Sequence, residues 1–192
     1  MFRVKCAALS IMLVFYLAYF SKMLLQRKQG IQTNQMGKGT KPKKVLLIER
    51  LMKVAAYAIV PVEIISIAGG YQLWNGTFCW IGLAVASLGV AVFIMAMITM
   101  RDSWRAGIPE ADKTELVTGG IYRFSRNPAF LGFDLMYIGL LLAYFNLGHF
   151  LFAAYAVIML HLQILQEEAF LTEVFGRKYL DYKRHTGRYF SI

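Results

Sequence analysis

The chain has 192 residues, of which 58% are hydrophobic and only 17% charged. Its mean hydropathy is positive, more than a water-soluble core requires, which excludes ordinary soluble domains and assigns the chain to a membrane. The excess of 21 basic over 11 acidic residues fits basic loops beside anionic lipid, so no nucleic-acid partner is indicated.

The first apolar run, Cys6 to Leu25, follows Arg3 and Lys5. A secretory leader would show a small-x-small cleavage pattern before Lys22; none is present, so the run reads as an anchor. Residues 26–44, QRKQGIQTNQMGKGTKPKK, are polar and basic and read as a flexible loop lying on headgroups. Val54 to Trp74 is the second run and carries Glu63, about 13 Å deep by the helical rise. Phe78 to Met100 is the third and holds no charge, while Gly82, Ala86 and Gly89 suit close helix approach.

The fourth run, Ala129 to Gly148, contains Asp134, and a shorter fifth, Phe150 to Leu165, contains His161. Each run approaches the roughly 20 residues that cross about 30 Å of hydrocarbon. The fold class is therefore an all-α membrane protein with five transmembrane helices. Two regions are expected: residues 1–100, three spans with a basic loop at 26–50, and residues 101–192, a two-helix hairpin with polar flanks.

Basic residues fall between runs one and two, between three and four, and after five, whereas the links at Asn75 to Thr77 and near Asn146 hold none. Retention of Lys and Arg on the cytoplasmic side then places the N-terminus outside and the C-terminus in the cytoplasm. After run five, Phe170, Leu171, Val174 and Phe175 recur at helical spacing and Gly176 stops them, which predicts a short amphipathic helix against the bundle mouth. Cys6 and Cys79 establish no disulfide and no metal spacing.

Charged groups in hydrocarbon are costly and call for a partner or a function. Asp134 lies about 7 Å and His161 about 6 Å from the cytoplasmic ends of their spans, so the two can meet. Tyr137, Gln163, Glu167 and Glu168 gather at the same level, beside the loop RFSRNP. Singly these groups read as hydrogen-bonding glue between helices; together with Arg123 and Arg126 they read as a ligand pocket. Asn127 and Pro128 supply an N-cap and a first-turn proline for span four. Glu167 and Glu168 point about 100° apart on a helix, so both need not face one ligand. No HExxH, CxxC, P-loop or GxSxG pattern is present, which leaves metal hydrolysis, phosphate transfer and serine nucleophiles without support.

The blocks ELVTGGIYRFSRNPAFLG and QEEAFLTEVFGRKYLDYKRHTGRYF resemble the integral-membrane methyltransferases of the isoprenylcysteine carboxyl methyltransferase and phospholipid methyltransferase family. The likeness runs from about Trp104 to Phe190 and rests on Gly120, Tyr122, Arg126, Pro128, Phe130, Gly132, the Glu167-Glu168 pair, Phe175, Gly176, Tyr179, Tyr182 and Arg188. It implies an S-adenosylmethionine-dependent enzyme with its cofactor pocket on the cytoplasmic side, formed by the loop before span four and the C-terminal segment. A lipid-like acceptor would enter from the bilayer, and no obligate protein partner or metal is implied.

By the same resemblance, Tyr122, Arg126, Asn127, Pro128, Phe130, Gly132, Glu167, Glu168, Tyr179 and Arg188 are the cofactor-binding candidates. A carboxylate of the pair and Arg126 or Arg188 would complement the cofactor's ammonium and carboxylate, and aromatic faces would suit its adenine and sulfonium. Arg126, Asp134 and His161 are the catalytic candidates, the last two as bases for an amine acceptor. Asn127 stands where the stricter pattern has His, so no titrating imidazole acts at that position. Two alternatives remain open on the residues alone: a sterol-reductase-like NADPH enzyme using Arg123 and Arg126, and a non-catalytic subunit or small transporter with an ion path through Glu63, Asp134 and His161.

Overall fold

The computed structural model describes residues 2–72, 76–108 and 115–190. These form six α-helices: α1 (Phe2–Lys28), α2 (Lys43–Gly69), α3 (Gly76–Met100), α4 (Pro128–Ala143), α5 (Leu147–Phe175) and α6 (Arg177–His185). Four of them, α1, α2, α3 with its 3₁₀ extension to Ser103, and α5, are long and apolar enough to cross a membrane. Large apolar side chains such as Leu13, Leu17, Ile65, Ile98 and Ile158 are exposed around the bundle, as they would be against lipid tails. The chain is a multi-pass integral membrane protein.

The helices run past the apolar stretches of the sequence. Helix α2 begins at Lys43, well before Val54, because its first turns carry Lys43, Lys44, Glu49, Arg50 and Lys53 and escape a hydropathy reading. Helix α5 continues through Glu167 and Glu168 to Phe175, so the separate amphipathic helix expected after span five is its last turns. Gly176, at φ 52°, then breaks direction into α6. The short apolar helix is α4, with 16 residues and about 24 Å of rise, not the fifth run. It ends at Ala143 with Tyr144 as its C-cap, and Asn146 starts α5 by accepting from the His149 N–H at 2.9 Å. Trp74, the expected end of the second run, lies outside the described residues.

The tightest packing joins α3 to α4 through glycines spaced seven apart on both helices. A Cβ on Gly139 would lie 2.4 Å from Ala86 N, one on Gly82 2.5 Å from Gly139 O, and one on Gly89 2.6 Å from Met136 N. The backbones thus meet directly, the geometry that small residues give to helices in lipid. An aromatic cluster fills the space where α1 crosses this pair: Phe15 stands 4.5 Å from Phe93 between ring centroids, and Phe93 5.0 Å from Phe133. Helix α2 lies along α5, tied by Tyr155 Oη to Leu51 O at 3.1 Å and by Asn146 Nδ2 to Ser66 Oγ at 2.7 Å.

The link between α1 and α2 departs from the flexible loop expected of its composition. Gln26, Thr33 and Lys41 are buried, and Thr33 Oγ1 donates to Gln26 Oε1 at 2.7 Å while Gln26 Nε2 donates to Trp104 O at 3.1 Å. These three polar side chains are turned inward, so the segment is folded onto the end of the bundle. That end, where α1 and α3 finish and α4 starts, is the basic end of the molecule.

Candidate functional site

A cavity of about 650 Å³ opens at the basic end and extends between α1, α2 and α4. Its polar part is lined by Tyr122, Arg126, Asn127, Glu167, Tyr179 and Tyr182; its deeper part by Tyr16, Phe20, Tyr57, Pro61, Phe133 and Tyr137. Helix α4 supplies Ala129, Phe130, Phe133 and Tyr137 from one face while turning Gly132 and Gly139 toward α3. Pro61, inside α2, cannot donate a backbone hydrogen bond, and it lies in the cavity wall together with Tyr57 and Val60.

The loop before α4 and the chain after α6 are bound together around one carboxylate. Glu168 Oε1 accepts from Arg126 Nη2 at 2.8 Å, Arg126 Nε at 3.2 Å and Asn127 Nδ2 at 3.2 Å. Arg188 Nη2 reaches Glu168 Oε2 at 2.9 Å. The Arg126 Nη1 also donates to the carbonyls of Lys183 and Thr186, and its backbone N–H to Gly187 O at 2.9 Å. Tyr182 Oη closes the clasp on Tyr122 O at 2.6 Å. Around this knot, hydrogen bonding to Glu168 raises the Arg188 guanidinium further above its ordinary range. Burial, with Glu168 nearby, pushes the Tyr179 phenol up to about 12.

Glu167 is placed differently. A rotation of about 100° from Glu168 along α5 carries it into the cavity wall, where Oε1 accepts from Gln163 Nε2 at 3.1 Å. It also lies near enough to the Tyr122 phenol to help burial and Tyr182 raise that group's pKa. The two carboxylates, which as helix neighbours need not face one ligand, are divided: Glu167 faces the cavity and Glu168 ties two segments of chain together.

The remaining sequence candidates fall in three places. Tyr122, Arg126, Asn127, Phe130, Glu167 and Tyr179 line the cavity. Pro128 occupies the first position of α4 as expected, but Asn127 makes no side-chain cap because its amide is turned to Glu168 and to Arg188 O. Gly132 packs on α3, where an added Cβ would stand 2.7 Å from Phe93 Cβ. Asp134 and His161 do not line the cavity: one residue beyond Phe133 is a turn of about 100° away from it. Nor do the two form the contact that their depths would allow. His161 Nδ1 pairs instead with Tyr189 Oη at 2.7 Å, and Asp134, buried with no partner for Oδ1 among the described residues, acts with burial to raise the Tyr189 phenol.

Sequence reasoning missed most of the opposite wall. Asn34 and Met36 from the α1–α2 link, Lys53 and Tyr57 from α2, and Tyr16 from α1 all line the cavity. Lys53 and Tyr57 sit one turn apart at the border of a basic and an apolar stretch, a placement that marks an amphiphile-facing helix. The link residues carried no comparable signal.

Fold and cavity together define a multi-pass helical membrane protein with one pocket that is polar at the basic end and aromatic at depth. The phospholipid methyltransferase profile matches residues 77–178, just over half of the chain, from α3 to the start of α6, and the chain belongs to that family. Two rice proteins, from Oryza sativa subsp. indica and subsp. japonica, each described as "Probable protein-S-isoprenylcysteine O-methyltransferase", are 30% identical to it over 113 residues. The match spans 56% of this chain and 59% of each relative.

Proposed function

We propose that the protein is an integral-membrane methyltransferase that takes its methyl group from S-adenosylmethionine and places it on a carboxylate or amine of a lipidic or amphiphilic acceptor. The observation that carries this reading is a cavity whose polar end and apolar depth are continuous. A water-soluble donor and a membrane-borne acceptor require such a joint compartment, and family membership supplies the reaction class.

The residues present fit the donor. Glu167 has one neutral hydrogen-bond partner and otherwise faces the cavity, which suits an ammonium group. Tyr122, Phe130 and Tyr179 offer ring faces to an adenine and a sulfonium. Arg126 and Arg188 share the single carboxylate of Glu168 and so keep a net positive charge, and with Lys53, which also lines the cavity, they complement a carboxylate. When bound, S-adenosylmethionine supplies an activated methyl on its sulfonium; the chain contributes alignment and exclusion of water, the terms that dominate an in-line displacement. A carboxylate acceptor needs no base. This agrees with the placement of Asp134 and His161 outside the cavity wall.

In this reading the bundle has five spans, α4 and α5 forming the hairpin, with about 24 Å of α4 completed by the turns beside it. The basic end faces the cytoplasm, by retention of Lys and Arg, and the cofactor site with it. Calorimetric titration of the purified protein in nanodiscs with S-adenosylmethionine, S-adenosylhomocysteine and NADPH tests the proposal. Saturable one-site binding of the first two supports it, whereas binding of NADPH alone, or of none by folded protein, overturns it.

A further inference from the structure

The link between α1 and α2 holds a buried ion pair whose geometry serves the cavity. Glu49 is fully buried and accepts Lys41 Nζ at 2.8 Å and 2.9 Å through its two oxygens. It also accepts the backbone N–H of Gly37 at 2.8 Å and of Ile108 at 3.0 Å. Lys41 Nζ donates a third time, to Gln35 O at 2.8 Å. Every proton of the ammonium and both carboxylate oxygens are therefore engaged, which is the condition for burying such charges at all.

A buried pair of this kind returns little net stability compared with an apolar substitute; what it delivers is a defined arrangement of the groups it binds. Here those groups belong to two segments distant in sequence. They are joined directly as well, by Gln35 N to Ala106 O at 2.8 Å and Ala106 N to Thr33 O at 2.9 Å. At Gly107, φ is +89° and a Cβ would stand 2.8 Å from Met36 N, so only glycine permits the contact. The joined strips present Asn34, Met36, Arg105 and Ala106 to the cavity. Glu49 and Lys41 also lie within electrostatic reach of Glu167, the carboxylate in the cavity wall.

We propose that Glu49 is a positioning residue of the methyl-donor site: through Lys41, Gly37 and Ile108 it fixes residues 33–41 and 104–108 as a rigid cap over the polar end of the cavity, and the cap sets donor affinity. The proposal rests on the methyltransferase reading for the identity of the ligand. Its structural half stands on the hydrogen bonds alone. In Glu49→Gln a single acceptor oxygen replaces two, and the amide's own protons oppose the Gly37 or Ile108 N–H.

The test uses the full chain in nanodiscs, with hydrogen exchange at the Gly37 and Ile108 amides, the melting temperature, and the Kd for S-adenosylhomocysteine. Glu49→Gln is expected to speed exchange at both amides by about tenfold or more relative to amides within α3 and to weaken S-adenosylhomocysteine by about tenfold, the loss of a preorganised wall, with a lowered melting temperature because the buried Lys41 ammonium is left without its partner. Lys41→Gln keeps the carboxylate on both amides and is expected to weaken binding by only about threefold; it carries the comparison should Glu49→Gln fail to fold. Faster exchange with unchanged Kd overturns the role of the cap, and unchanged exchange overturns the role of Glu49. If the unaltered protein binds no S-adenosylhomocysteine, the methyltransferase reading fails, while the exchange data still judge whether Glu49 holds the cap.

Discussion

Arg126 Nη2 stands 2.8 Å from Glu168 Oε1, and the pair joins the loop before α4 to the chain after α6. Both side chains are nearly buried, at 7% and 4% exposure, so removing Glu168 strands the Arg126 guanidinium, whereas removing Arg126 leaves Glu168 its second partner, Arg188. Glu168→Gln is expected to destabilise the protein by about 3 kcal/mol, the cost of a buried charge left without its partner. Glu167→Gln should leave the melting temperature unchanged and weaken S-adenosylhomocysteine by about tenfold, the worth of one charge-assisted hydrogen bond. Thermal melts and calorimetry on the two variants check this division; equal loss of binding with equal melting in both would refute it.

A second expectation concerns the α3–α4 seam. Gly139→Ala would place a methyl 2.4 Å from Ala86 N, so the two backbones must part, at about 1–3 kcal/mol for an overpacked interface. Gly119, with nothing within 4 Å of an added Cβ and an extended backbone, provides the control. Gly119→Ala should melt with the unaltered protein. Melting in nanodiscs decides, and a Gly139→Ala variant as stable as the control would mean that the seam is loose.

What could be read in the sequence divides along physical lines. Hydropathy reports where lipid tails touch the chain, so α3, apolar from Gly76 to Met100, was legible almost to the residue. The charged first turns of α2 and the last turns of α5 were not, because a helix outside hydrocarbon has no hydropathy signature. The wall made of Tyr122, Asn127, Phe130, Glu167 and Tyr179 could be named because short motifs carry it. Folding of the α1–α2 link could not, since a run rich in Lys, Gly and Gln has the composition of a solvated loop. Its one usable sign was Glu49, the single acid between Arg27 and Lys53. Depth alone brought Asp134 and His161 to one level, yet whether they meet depends on the rotation of both helices, which depth does not contain.

That rotation yields a third expectation. Neither Asp134 nor His161 lines the cavity, and His161 is held by Tyr189 at 2.7 Å. Asp134→Asn and His161→Phe should therefore keep S-adenosylhomocysteine affinity within about twofold of the unaltered protein, well under the tenfold that corresponds to 1.4 kcal/mol. Calorimetry on both variants checks it. A tenfold loss in either would show that this second polar group is coupled to the donor site.

The orientation of the bundle supplies the last expectation, and two positions on α1 and its following link decide it. Arg3 is exposed at the start of α1 and Lys38 is exposed beyond its end, so the helix sets them on opposite sides of any membrane it crosses. Cys6 is exposed and would react, whereas Cys79 is only 2% exposed; a Cys6→Ser background therefore suffices. In sealed cells an impermeant maleimide should label Arg3→Cys and spare Lys38→Cys, and permeabilisation should expose the second. The basic residues in the last turn of α1 and beyond it, Arg27, Lys28, Lys38, Lys41, Lys43 and Lys44, outweigh Arg3 and Lys5 in retaining their side in the cytoplasm. The reverse pattern would place the cavity mouth and its cap outside the cell, and with it the site proposed for a cytosolic methyl donor. Labelling of both positions from one side would mean that α1 does not span.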